Sequence, residues 1–264
     1  MRDIPESGIE LFREWLWREA GVRGADYRGP FLARRIQPRL EAHGFQNVAD
    51  YLKALKGWAS EKEMLISRVL VPTTEFMRNP EVWASLGRFF REAHFKDPLR
   101  LASAPCSTGE EAFSAAILLD EIGRKGFIVA ADRSPKALAR LVEGRYSEKA
   151  LEKLDKSLVS RYFRVENGWA APAARVRRKV LPLLWDLGHG MPGRGFHALL
   201  VRNIFIYLTE EAQERMVMAA EKVLVPGGLL VLGRVERIPH GLLGWERADG
   251  ECRIYRWKGT GDET

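Results

Sequence analysis

A chain of 264 residues with 46% apolar content is long enough for one large domain, or a large and a small one, around a real core. No apolar run approaches the ~20 residues a bilayer span needs. The N-terminus MRDIPESGIELF carries acids where a signal peptide has its apolar segment, and two cysteines make no disulfide framework, so a cytoplasmic protein in a reducing compartment is expected. The formal charge of +7 fits either solvated basic faces or a surface that attracts an acidic partner, nucleic acid or protein. The five histidines are scattered and no Cys/His cluster has ligand spacing, so no metal is expected.

Residues 1 to about 90 read as helical. Ile9, Leu11, Phe12, Trp15 and Leu16 recur at helix spacing, and Gly21 to Gly24 breaks the pattern. A second helix places Phe31, Leu32, Ile36 and Leu40 on one face, with Arg28, Arg34, Arg35 and Arg39 beside or opposite it. Those arginines make either a solvated face or a docking surface for an acidic partner. Pro38 is expected to kink or shorten this helix, and Gly44 to end it. A third helix carries Val48, Tyr51, Leu52 and Leu55, and a fourth runs from Glu61 to Val71. The polar loop Thr73 to Arg78 leads into a helix over Pro80 to Ala93.

From Asp97-Pro98 the chain alternates strand and helix. LRLASAPCSTGEE, Leu99 to Glu111, reads as a strand, a small-residue turn and the start of a helix reaching Ile122, the unit that binds nucleotide-like ligands at strand ends. It holds one glycine where a dinucleotide fingerprint has three, and Glu110 and Glu111 would repel phosphate. A ligand with hydroxyls and a positive charge suits it better. A second strand, Gly126 to Asp132, ends in an acid about 20 residues on, the position that binds ribose hydroxyls, although Asp132 also suits a helix N-cap. A helix follows over Pro135 to Glu143.

Residues 147 to 180 break this rhythm and read as short, basic, β-rich inserts, with a turn at Asn167-Gly168. Leu181 to Trp185 and Phe196 to Val201 are further strands, ending at Asp186-Leu187 and at Arg202-Asn203. A helix over Thr209 to Leu224 is capped by Thr209. Pro226-Gly227-Gly228 reads as a turn, Leu229 to Leu232 as a strand, and Arg253 to Trp257 as a terminal strand.

The pattern predicts an α/β fold with a mostly parallel, doubly wound sheet and a ligand over the strand C-termini. Ser103 to Glu111, Asp132, Asp186 and Asn203 would share one site. Acids without phosphate donors point to an adenosyl ligand bearing a sulfonium and an amino acid moiety, S-adenosylmethionine.

VPTTEFMRNPEVW, LRLASAPCSTGEEAFSAAILL, IVAADRSPKAL with EGRYS, SRYF, FHALLVRNIFIYLTEEAQERMV and LVPGGLLVLGRVE together resemble the CheR family, which esterifies glutamate side chains on bacterial chemotaxis receptors. STGEE and RNIFIYL carry the resemblance most specifically, and it spans nearly the whole chain. It implies a helical N-terminal domain with its linker over 1–90, and a Rossmann-like methyltransferase domain over 91–264 with a short β-subdomain near 159–180. It implies S-adenosylmethionine contacts at Thr74, Arg78, Ala104, Glu110 or Glu111, Asp132, Asp186, Leu187, Asn203 and Ile204, with Tyr207 at the active-site edge. The partner implied is the cytoplasmic helical region of a chemoreceptor, its acidic surface docking on the basic N-terminal domain, with no nucleic acid and no membrane insertion. The chain departs from the family at Pro105, at Met77, at Asp186 in place of an asparagine, and at Gly233-Arg234-Val235-Glu236 in place of Gly-His-Ser-Glu. Helical repeats that often follow the catalytic domain in a variant branch are not found before Thr264.

The chemistry implied is attack by an ionised glutamate on a sulfonium methyl, with Arg78 and Tyr207 as the catalytic residues and no general base. The competing readings are a non-catalytic S-adenosylmethionine-binding signalling module and a methyltransferase acting on another acceptor such as RNA.

Overall fold

The computed structural model describes residues 4–70, 74–190 and 193–259. The chain divides into two compact units, Met1–Pro72 with Tyr207–Gln213, and Thr73–Ile206 with Glu214–Thr264.

The first unit is helical: α1 (Glu6–Ala20), α2 (Gly29–Ala42), α3 (Val48–Ala54) and α4 (Ala59–Val69). Their apolar stripes meet in a core of Ile9, Phe12, Trp15, Leu16, Phe31, Leu32, Ile36, Leu40, Tyr51 and Leu65. Leu11, expected in that core, is 43% exposed. α2 continues through Pro38 where a kink or early stop was expected. Phe31 and Leu32 before it, and Leu40 after it, bury the same face, so tertiary packing outweighs one missing N–H. α4 begins two residues earlier than the periodicity suggests, and the Val71 end of that reading lies outside the described residues, as does Thr73.

One polar hub sits inside these helices. Glu61, 4% exposed, accepts hydrogen bonds from Arg39 and, at 2.5 Å, from the Tyr51 hydroxyl, with His43 Nε2 3.3 Å away. The Tyr207–Gln213 segment joins the same unit. Arg28 donates its backbone N–H to the Tyr207 carbonyl (2.9 Å) and its Nε to the Leu208 carbonyl (2.7 Å), and the Phe31 and Tyr207 rings lie 4.5 Å apart.

The second unit is α/β. In order it contains α5 (Pro80–Glu92), β1 (Leu99–Ser103), α6 (Glu110–Glu121), β2 (Gly126–Asp132), α7 (Pro135–Glu143), β3 (Tyr146–Ser147), α8 (Lys156–Tyr162), β4 (Phe163–Glu166), β5 (Trp169–Pro172), α9 (Ala174–Arg177), β6 (Val180–Leu184), β7 (Phe196–Val201), α10 (Glu210–Val223), β8 (Leu224–Leu232), β9 (Trp245–Asp249) and β10 (Ile254–Trp257). The seven-stranded sheet runs β6-β2-β1-β7-β8-β10-β9. Its first five strands are parallel, and β10 and β9 add antiparallel partners beyond β8. The near-continuous apolar text of β1 and β7 belongs to central strands covered on both faces. The one polar residue of β7, His197, accepts the Arg100 N–H at 2.9 Å.

At the β6 edge, the Lys179 carbonyl and the Trp185 N–H both pair with β2, so even-numbered residues face outward. The donor missing at Pro182 therefore falls on the open edge, where it discourages pairing with another chain.

Three sequence readings change. Arg161 and Tyr162 are helical, in α8, and Ala174–Arg177 form α9, so the basic insert is less β-rich than expected. Asp155 caps α8 by accepting the Ser157 N–H, and acids of α6 receive the insert's side chains: Glu121 holds Arg161 and Tyr162, while Asp120 holds Arg175 and Lys179. The small sheet, order β3-β5-β4, includes Tyr146–Ser147. β8 runs through Pro226-Gly227-Gly228, read as a turn, with an irregularity in its pairing to β7, and β9 has no counterpart in the sequence reading.

Candidate ligand site at the carboxyl edge of the sheet

Because β6, β2, β1, β7 and β8 lie side by side, the residues that end or follow them line one edge: Asp186, Asp132, Ala104, Asn203 and Gly233. In a doubly wound sheet this edge is where ligands bind.

The turn after β1 is held by its neighbours. Ala104, fully buried, donates its N–H to the Leu200 carbonyl (2.9 Å), and Cys106 donates to the Ala131 carbonyl (2.8 Å). Gly109 closes the turn at φ 99°, where a Cβ would lie 2.6 Å from Leu141 Cγ, so only glycine fits. Ser107 donates its N–H to Asp132 Oδ2 and Ser134 donates to Oδ1, both at 2.8 Å. The cap of α7 is Ser134, which accepts the Ala137 N–H. Asp132 instead ties two turns together, and burial pushes its carboxyl above the ordinary range against the pull of those two N–H groups.

The paired acids diverge. Glu110 accepts the Thr108 hydroxyl at 2.6 Å. Tyr146, on β3, donates its hydroxyl to the Thr108 carbonyl at 2.6 Å. Glu111 accepts the Ser103 hydroxyl at 2.8 Å and faces Arg202 Nη1 at 3.3 Å. Burial pushes both carboxyls up, and Arg202 and Arg78 pull that of Glu111 back. Burial, with Asp132 and Glu111 beside it, also pushes the Cys106 thiol up, so it stays protonated at neutral pH and is no nucleophile.

Arg202 organises the loop before α5. Its side chain is 1% exposed, it donates to the Arg78 carbonyl (3.0 Å) and to Asn79 Oδ1 (2.8 Å), and it lies over the Trp83 ring. Met77 and Asn79 take positive φ there, and the Met77 N–H is bonded to Ser114 Oγ at 2.8 Å. Arg78 is thus fixed by its backbone, while its guanidinium has no hydrogen-bond or ion-pair partner among the described residues.

Asp186 sits 3.2 Å from Arg133, so the charge that replaces the family's asparagine is balanced within the chain. Leu187 opens a short turn at that strand end. Asn203 is left-handed, φ 62°, and its N–H is bonded to Glu236 Oε2 at 2.9 Å; Ile204 beside it is half-buried.

Ala104, Glu110, Glu111, Asp132 and Arg78 therefore belong to one connected set, with Asp186 and Asn203 on flanking strand ends. Thr74 is half-buried with no hydrogen bond among the described residues, and Tyr207 groups with the helical unit. Sequence reasoning missed Arg202 and Glu236. A charged residue closing the apolar strand β7 was the signal for the first, and the acid ending GRVE for the second.

A mostly parallel sheet with acids and hydroxyls along its carboxyl edge, and no glycine-rich phosphate turn, makes this a Rossmann-like α/β domain. Residues 72–248 match the CheR methyltransferase SAM binding domain, and residues 7–70 match the CheR methyltransferase all-alpha domain. The chain belongs to the CheR methyltransferase family. It is 29% identical to a probable biofilm formation methyltransferase of Pseudomonas putida, over 86% of this chain and 56% of that protein. It is 27% identical to chemotaxis protein methyltransferases of Listeria monocytogenes, over 88% of this chain and 91% of that one, and of Escherichia coli, over 90% and 86%. The chain thus spans little more than half of the Pseudomonas protein.

The ligand of the larger domain is S-adenosylmethionine. The donor set suits it: Asp132, Glu110 and Glu111 offer negative charge and hydroxyl acceptors, and Ser107 Oγ is buried without a partner among the described residues. No helix among the described residues is long and apolar enough to cross a membrane.

Proposed function

We propose that this chain methylates glutamate side chains on chemoreceptors, giving glutamate methyl esters and S-adenosylhomocysteine. The observation that carries this reading is Arg78, a guanidinium without a partner among the described residues, on a loop that Arg202 anchors beside buried acids. A planar fork of donors suits a carboxylate. The Listeria and Escherichia coli relatives, named chemotaxis protein methyltransferases, support the choice of acceptor.

In this reading Asp132 binds the ribose hydroxyls, Asp186 and Leu187 border the adenine, and Asn203 and Ile204 flank it. Thr74, the Ala104 backbone and the charge of Glu110 and Glu111 hold the amino acid end. When bound, S-adenosylmethionine supplies a methyl on a sulfonium that a carboxylate can take directly. An acceptor glutamate is already ionised at neutral pH, so no residue here needs to act as a base. Arg78 orients the acceptor carboxylate, Tyr207 donates a hydrogen bond near the transferred methyl, and the buried edge excludes water, so catalysis rests on positioning.

Incubation with methyl-labelled S-adenosylmethionine and receptor cytoplasmic fragments tests the reading. Base-labile label on the fragment is the expected result. Ligand binding without transfer would make the chain a non-catalytic sensor, and label on RNA would replace the acceptor.

A further inference from the structure

Glu236 lies outside every role assigned so far, yet it is 2% exposed and is a carboxylate. Among the described residues no cation pairs with it. Its partners are backbone N–H groups from two strand ends. Oε2 accepts Gly233 at 2.5 Å and Asn203 at 2.9 Å, and Oε1 accepts Ile206 at 3.3 Å. One side chain therefore bridges the end of β8 to both sides of the turn after β7.

Two details make this more than incidental satisfaction of a buried acid. Asn203 holds φ 62°, a conformation asparagine tolerates but does not prefer, so something must hold it there. The approach is also close. A Cβ on Gly233 would lie 2.5 Å from Glu236 Oε2 and 2.9 Å from Asn203 Nδ2, so the contact requires glycine at 233.

We infer that Glu236 is a positioning residue for ligand binding: its carboxylate clamps the turn after β7 in the left-handed form that turns Asn203 toward S-adenosylmethionine. The inference rests on the reading of Asn203 given above. A carboxylate bonded to N–H groups makes stronger hydrogen bonds than an amide would, and it accepts at both oxygens. Glutamine in its place keeps one acceptor and turns an NH2 against the remaining donors.

The test is a double-mutant cycle on S-adenosylmethionine affinity, measured by calorimetry on the full chain. Glu236→Gln is expected to raise Kd about tenfold, as loss of a charge-assisted hydrogen bond does. Asn203→Ala is expected to do the same, and the double variant to bind no more weakly than Asn203→Ala alone. In nitrogen-labelled protein the Asn203 amide resonance should move in the Gln variant. If Glu236→Gln does not fold, Glu236→Asp, which keeps the charge but draws the carboxylate back from the three N–H groups, serves in the same cycle. Wild-type affinity in the Glu236 variant, or additive losses, would overturn the inference while leaving the ligand site intact. Wild-type affinity in Asn203→Ala, or no binding by the unaltered chain, would instead overturn the reading of the site, and the inference with it.

Discussion

Glu61 in the helical unit and Asp132 in the α/β unit are both buried carboxylates, and their surroundings push them in opposite directions. Glu61 has Arg39, Tyr51 and His43 around it, and the Arg39 hydrogen bonds hold its carboxyl down to about 2. Asp132 accepts hydrogen bonds from two backbone N–H groups, with a weaker pull from the Arg133 charge, and burial outweighs them and pushes it up. The same upward push acts on Glu110, Glu111 and Glu236. Glu61 finds its partners within the helical unit itself. In the function proposed above, Asp132 and Glu110 are left with buried negative charge that a cationic ligand would complete, the contrast expected between a structural acid and a binding one.

This contrast can be broken at either end. Glu61→Ala leaves the partly buried Arg39 without its anion and the buried Tyr51 hydroxyl without its acceptor, and should destabilise the chain by about 3 kcal/mol in denaturant unfolding. S-adenosylmethionine affinity of the folded variant should stay near wild type. Arg78→Ala should lower methyl transfer to receptor fragments by about 100-fold, with stability unchanged, because a charge-assisted pair to the acceptor is lost from a partly exposed side chain. Transfer at the wild-type rate would remove Arg78 from the mechanism. Asp132→Asn should weaken S-adenosylmethionine binding about 30-fold, since it removes the charge and sets an NH2 against one of the two backbone N–H groups that Asp132 accepts.

Acidification sharpens the same difference. A carboxyl raised in the folded state stabilises the protonated protein, a contribution lost as pH rises through its folded value. As pH falls from 7 toward the ordinary carboxylate range near 4, Asp132 and Glu110 therefore take up protons without unfolding the chain, and ligand affinity drops. Glu61, depressed to about 2, loses its stabilising charge only below that range. Titration calorimetry and unfolding followed over the same pH values should give separate transitions, binding lost first. The smallest effect is expected of Tyr207→Phe, a loss of about threefold in turnover if its hydroxyl serves the methyl, read from initial rates.

Much of the fold was legible because periodicity is local. β2, α7 and β7 have the bounds that apolar runs and their flanking residues suggest, and α5 and α6 end within a residue of them. Expectations failed where a distant partner decided. α2 passes Pro38 because its buried face is held on both sides. Arg161 and Arg175 look like strand text and are helical, with acids on α6 receiving both side chains. β9 exists because β10 pairs with it, and its half-exposed text carries little alternation of its own.

The candidate site divides the same way. Acids at Glu110, Glu111 and Asp132, the missing glycines of the first turn, and the family text around STGEE and RNIFIYL were all present in the amino-acid order. Short-range chemistry such as Ser134 capping its own helix could be read from it too. The tertiary structure alone decided that Arg202 meets Glu111, 91 residues away, and that Glu236 meets Asn203, 33 residues away. Side-chain type and spacing say which groups must be buried or satisfied. Which strand ends become neighbours is a property of sheet order, and only that order chooses the partner each buried polar group finds.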